Sequence, residues 1–167
     1  MMKTLTYFLK RTAIILSSLF LYLINIQAQD AKEKKRDAQT IQQLLESKEF
    51  VFRAQSVTPV GGGFRQLTSE YDLRLLGDSL VSYLPFFGRA HTAPLDPQQS
   101  GIQFTSTDFS YEVKSKKKGW DIQLQPKDVA SVQQMHLNVT TSGRASLLVI
   151  STNREPISFN GVIAQRR

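Results

Sequence analysis

The strongest constraint on the fold of this chain is the recurrence of apolar residues at every second position from Phe50 onward. Phe109, Tyr111 and Val113 show the pattern clearly, because each is separated from the next by a polar residue. Successive side chains of a β-strand point to opposite faces, so this spacing predicts half-buried strands. Segments of this kind alternate with Gly, Pro, Asn and Asp turn residues, and we count about eight of them.

Two parts of the pattern are especially informative. Trp120, Ile122 and Leu124 resume the alternation after a short lysine-rich turn, which predicts a β-hairpin. The segment 145–150 is apolar at nearly every position, which predicts a central strand that is covered on both faces.

Before the first strand, apolar residues occur at helical spacing. Ala38, Ile41, Leu44 and Leu45 would form a narrow apolar face on an amphipathic helix. We therefore predict a helical segment at 29–48 that docks on the sheet, followed by a single antiparallel β domain at 49–167. The predicted fold class is mainly β (α+β), a meandering, curved antiparallel sheet or partly open barrel with one N-terminal helix.

The first 28 residues have the pattern of a signal peptide. Lys3, Lys10 and Arg11 form a basic start, an apolar run follows, and Ala28 offers a small residue at a cleavage point. We expect an exported protein, periplasmic or secreted, with no stable membrane span after cleavage. The chain has no cysteine, so it carries neither a lipid-modified cysteine nor a disulfide.

The composition provides few groups for catalysis or metal binding. There are two histidines and no cysteine, so the sequence predicts no metal site, no cofactor and no catalytic residue. Removal of Lys3, Lys10 and Arg11 with the signal would lower the formal charge from +7 to +4, an ordinary value that does not predict a nucleic-acid partner.

The best candidate site follows the strand predicted at 80–84, which should end at Pro85 because proline has no backbone N–H. Two hypotheses fit the aromatic loop that comes next. The loop could plug the core while Arg89 pairs with a carboxylate, or it could form an exposed aromatic lip that binds an apolar ligand or a protein segment. The candidate ligand- or partner-binding residues are Tyr83, Phe86, Phe87, Arg89 and His91.

A second candidate is the lysine-rich turn of the predicted hairpin, which could bind an anion. Its residues are Lys114, Lys116, Lys117 and Lys118. The alternative is a soluble hairpin tip that discourages pairing at the sheet edge.

Several short blocks resemble one exported Bacteroidetes family, domain of unknown function 4251. The most specific block is the Leu-Pro-Phe-Phe-Gly-Arg-Ala sequence at 84–90; the weaker blocks lie at 101–104, 119–120 and 157–161. The resemblance covers residues 45–165 and implies export in a Gram-negative envelope. It supplies no activity and therefore no functional residues.

Three hypotheses of function remain open at this point. The first is a non-catalytic binding module for an apolar ligand or an envelope protein, as a monomer or weak dimer. The second is a hydrolase in which His91 acts with a nearby acid such as Asp78 or Asp96. The third is a structural or inhibitory protein with a filled interior and no small-molecule ligand.

Overall fold

The computed structural model describes residues 37–90 and 101–166, and residues Asp37–Arg167 form one compact unit. The predicted signal peptide lies outside the described residues. A helix, α1, spans 37–46, within the segment predicted to be helical. Nine strands follow: β1 Glu49–Pro59, β2 Arg65–Leu76, β3 Ser79–Leu84, β4 Ile102–Ser106, β5 Phe109–Lys116, β6 Gly119–Pro126, β7 Val132–Thr140, β8 Arg144–Ser151 and β9 Ile157–Ala164. The prediction of a mainly β fold is confirmed, with nine strands where we counted about eight.

All nine strands belong to one sheet with the order β4-β3-β2-β1-β9-β8-β7-β6-β5. Eight antiparallel pairings separate β4 from β5, so these two edge strands run in the same direction. Two residues, Thr107 and Asp108, connect them. Parallel neighbours require a long crossover, so β4 and β5 are successive parts of one bent strand, which pairs first with β3 and then with β6. The sheet therefore curves into a nearly closed barrel.

A carboxylate fixes the bend between β4 and β5. Asp128, in the β6–β7 turn, accepts hydrogen bonds from the Ser106 hydroxyl, from Thr107 N–H at 2.9 Å and from Asp108 N–H at 3.3 Å. The Ser106 hydroxyl, followed by these backbone donors, lowers the pKa of Asp128 below its ordinary value. The bond from Lys127 N–H to Asp108 C=O, at 2.8 Å, holds the same corner.

The barrel interior is filled by apolar side chains. They are almost completely buried, so the barrel is packed like an ordinary protein core. The largest of these fully buried side chains are Phe50, Phe52, Phe159, Leu45, Leu73, Leu75, Leu80, Leu84, Ile122, Leu124, Met135 and Leu137.

The helix covers one end of the barrel. Ile41 contacts the β7–β8 turn, where a Cβ on Gly143 would lie 3.0 Å from its methyl carbon. Leu45 is 1% exposed, and its carbonyl accepts a hydrogen bond from the Tyr111 hydroxyl at 2.9 Å. Lys48 C=O then accepts a bond from Gly77 N–H, in the β2–β3 turn. Within the described residues, no helix is long and apolar enough to span a membrane.

The segment 145–150 differs from its prediction. Ala145, Leu147 and Val149 are buried on the inner face, but Leu148 and Ile150 are only half-buried on the outer face. The strand is central because β7 and β9 flank it. Pairing with β7 and β9 at its two edges leaves the outer face of the strand uncovered. An apolar composition does not show whether a strand is only central in its sheet or is also covered on both faces.

Candidate functional site

The predicted aromatic loop leaves the barrel at the end opposite α1. Pro85 is buried, Phe86 packs half-buried against the core, and Phe87 is 38% exposed. Arg154, from the β8–β9 turn, lies over the Phe86 ring at 5.0 Å and donates a hydrogen bond to Gly101 C=O at 3.0 Å. The two adjacent rings therefore have different environments, one on the core and one at the surface.

The loop is anchored to the β8–β9 turn by its backbone. Ala90 and Arg154 form an isolated antiparallel bridge. Arg89 C=O accepts a hydrogen bond from Glu155 N–H at 3.1 Å, and Arg89 N–H donates to the Glu155 carboxylate at 3.4 Å. The core-plug hypothesis paired the Arg89 side chain with a carboxylate; in the structure, the Arg89 backbone N–H contacts the Glu155 carboxylate. These bonds hold Phe87 in a defined position.

Gly88 allows the Phe86 ring to fold against the loop. A Cβ at Gly88 would lie 2.7 Å from the tip of that ring, well inside van der Waals contact. A side chain at position 88 would therefore displace the Phe86 ring from its present position.

Phe87 borders a small surface cleft. Arg65, at the start of β2, lies over its ring at 5.3 Å. The cleft has a volume of about 210 Å³ and is lined by Pro59, Gly61, Gly62, Arg65, Phe87, Gly88, Arg89 and Glu155. Two arginines and one glutamate give it an excess of positive charge. We call this set of residues the Phe87 cleft.

The remaining predicted site residues lie elsewhere or outside the described region. Tyr83 is 46% exposed on β3, stacks on Tyr71 at 5.7 Å between ring centres, and is not part of the Phe87 cleft. His91 and Asp96 lie outside the described residues. The structure thus places Phe87 and Arg89 together in the cleft and Phe86 against the core.

Three charged residues that contact the two rings or line the cleft were not predicted from the sequence: Arg65, Arg154 and Glu155. They come from β2 and the β8–β9 turn, far from the aromatic loop in the sequence. Each stands in an ordinary polar segment, so no local pattern marked it.

The lysine-rich hairpin forms a separate surface. Lys114, Lys116, Lys117 and Lys118 are all exposed, and Lys116 pairs with Asp121 at 2.9 Å. Lys116 and Lys118 border an open groove of about 450 Å³, together with Gly119, Trp120, Asn138, Val139, Thr140, Arg144, Ala145, Ser146 and Asn160. The anion-binding role of these lysines stays a prediction.

The described residues include no group of three or more His, Cys, Asp or Glu side chains that could hold a metal ion. Burial raises the pKa of Tyr111, and hydrogen bonds lower that of Asp128. Both groups serve the fold, since one binds α1 and the other fixes the β4–β5 bend.

Comparison with known proteins agrees with this architecture. The family model "Domain of unknown function (DUF4251)" matches residues 32–163. The crystal structure of a DUF4251 family protein from Bacteroides eggerthii DSM 20697 is similar, with a TM-score of 0.55 and 14% sequence identity over 79% of this chain and 87% of that one. No curated protein matches the chain. The match over most of its length, together with the shared fold, shows that this chain belongs to the DUF4251 family.

Proposed function

We propose that this protein is an exported, non-catalytic binding module that engages a segment of a partner protein at the Phe87 cleft. The observation that carries the proposal is the exposed Phe87 ring, held beside the cleft by a loop that is bonded to the β8–β9 turn. A rigid aromatic side chain flanked by arginine is typical of the residues that dominate binding energy at protein interfaces. Export is supported by the basic and apolar pattern of the first 28 residues.

Two properties favour a protein segment over a small apolar ligand. The barrel interior, where such a ligand would be enclosed, is occupied by fully buried side chains. The cleft volume of about 210 Å³ is below the range of roughly 300–1,000 Å³ that is typical of small-molecule sites. It suits one or two side chains of a larger partner.

The charge of the cleft indicates what such a segment would carry. Arg65 and Arg89 outweigh Glu155, and an arginine guanidinium binds a carboxylate with two parallel hydrogen bonds. We therefore propose a partner segment with an apolar side chain that packs on Phe87 and an acidic group beside it.

Site-specific photocrosslinking in the host tests the proposal. Benzoylphenylalanine at position 87 should give a discrete adduct, and the same probe at position 83 should not, because Tyr83 is exposed outside the cleft. In a chain with the probe at position 87, the substitution Arg65→Glu should abolish the adduct. Equal adducts from both positions, or an adduct from position 83 alone, would refute the assignment of the site.

A further inference from the structure

Strand β5 has one hydrogen-bonding edge that no strand of the described residues covers, and we call it the free edge. Its other edge pairs with β6. The bond from Lys127 N–H to Asp108 C=O fixes which backbone groups face β6. Because these groups alternate in an antiparallel ladder, residues 110, 112, 114 and 116 bond to β6. The backbone groups of residues 109, 111, 113 and 115 therefore point toward the free edge.

The second half of β5 also lacks side-chain cover. Residues 112–116 are all exposed. Val113 is 39% exposed, although its cross-strand neighbour Ile122 is fully buried. The difference arises because Ile122 has a strand on both sides, whereas Val113 has a strand on one side only.

We propose that a second copy of this chain pairs with this edge, β5 against β5, about a twofold axis at Val113. In that antiparallel register Val113 lies opposite Val113 of the second copy, and each Tyr111 lies opposite a Ser115. All of these residues have backbone groups that face the free edge, so the ladder forms without a shift of register. Glu112 lies opposite Lys114 of the second copy, and this pair occurs twice because of the symmetry.

Two other registers are disfavoured, one by charge and one by the β4–β5 bend. A twofold axis at Ser115 would place Lys114 opposite Lys116, which is repulsive. An axis at Tyr111 would place residues 114–116 of the second copy beside residues 106–108, where the chain bends away to pair with β3. The lysines of the turn thus disfavour self-pairing about Ser115, in addition to keeping the hairpin tip soluble.

This interface goes beyond the proposed function. It involves the β5 edge, which contributes nothing to the Phe87 cleft. About five residues of each chain would pair, which corresponds to a small and reversible interface.

Single-cysteine variants test the register directly, because the chain has no cysteine of its own. Opposed residues of a hydrogen-bonded antiparallel pair have Cα atoms about 5.5 Å apart, which is within disulfide range. Val113→Cys should therefore form a disulfide-linked dimer under mild oxidation of the protein as its host produces it. Ser115→Cys is the matched control, since the two Ser115 residues would be about 13 Å apart along the strands. Equal cross-linking of the two variants would refute the proposed register.

Charge exchange is the second test, with sedimentation velocity as the measurement. Glu112→Lys and Lys114→Glu should each weaken self-association about tenfold, because two attractive pairs become repulsive. An equimolar mixture of the two variants should recover it, because the lysines of one variant then face the glutamates of the other at both pairs. A protein that stays monomeric at about 1 mM, or a mixture no more associated than either variant alone, would overturn the proposal.

Discussion

Truncation of the two adjacent phenylalanines should have clearly different effects on stability. Phe86→Ala removes a ring that packs against the core and lies under Arg154, whereas Phe87→Ala removes a ring that borders the surface cleft. Truncation of a fully buried phenylalanine costs about 3–5 kcal/mol. Phe86 is half-buried, so we expect about half of that, with about 0.5–1 kcal/mol more from the lost cation–π contact. The free energy of unfolding should therefore fall by about 2–3.5 kcal/mol for Phe86→Ala and by less than about 1 kcal/mol for Phe87→Ala.

Urea denaturation followed by tryptophan fluorescence measures the difference. The chain has one tryptophan, Trp120, which is half-buried in β6 and reports on barrel unfolding. The denaturant slope should be the same for both variants and the parent protein, so that the midpoints compare stability directly. If Phe87→Ala lost as much stability as Phe86→Ala, Phe87 would be a core residue and the proposed cleft would lose its main anchor.

Two further predictions concern the barrel itself. Gly161→Ala should destabilise the protein by at least about 3 kcal/mol, because the new Cβ would lie 1.9 Å from Arg53 C=O on the neighbouring strand. Gly63→Ala is its matched control in chemical denaturation, since a Cβ there meets nothing within 4 Å, and equal losses would contradict the reasoning. The lowered pKa of Asp128 means that its contribution to stability is present above its unfolded pKa of about 4 and is lost as the pH falls through the folded value. Asp128→Asn should therefore lower the melting temperature at neutral pH and flatten its decline below about pH 4, and an unchanged decline would show that the Ser106 bond does not couple to folding.

The period-two pattern was a reliable guide to the strands because the barrel has one apolar face and one polar face. Trp120, Ile122 and Leu124 all face the core, as the alternation predicted. The pattern failed where composition alone had to decide, at Leu148 and Ile150, because apolar side chains on an outer face look the same in sequence as covered ones.

The candidate site was predicted only in part. The sequence drew attention to Phe86, Phe87 and Arg89 and left two hypotheses, a core plug and an exposed lip. In the structure, Phe86 packs on the core, as in the core-plug hypothesis, and Phe87 borders the surface cleft, as in the exposed-lip hypothesis. Alternation carried on from the buried Leu84 places Phe86 inward and Phe87 outward, but the sequence could not show that the chain keeps this alternation after the strand ends at Pro85.

The sequence by itself determined the secondary structure, because strand periodicity, turn residues and helical spacing are local properties. It also marked the family through the block at 84–90. Only the tertiary structure decided that β4 and β5 form one bent strand closed by Asp128, and that Arg65, Arg154 and Glu155 surround the aromatic loop. These contacts join segments far apart in the chain, and their formation depends on the curvature of the whole sheet, which no local pattern encodes.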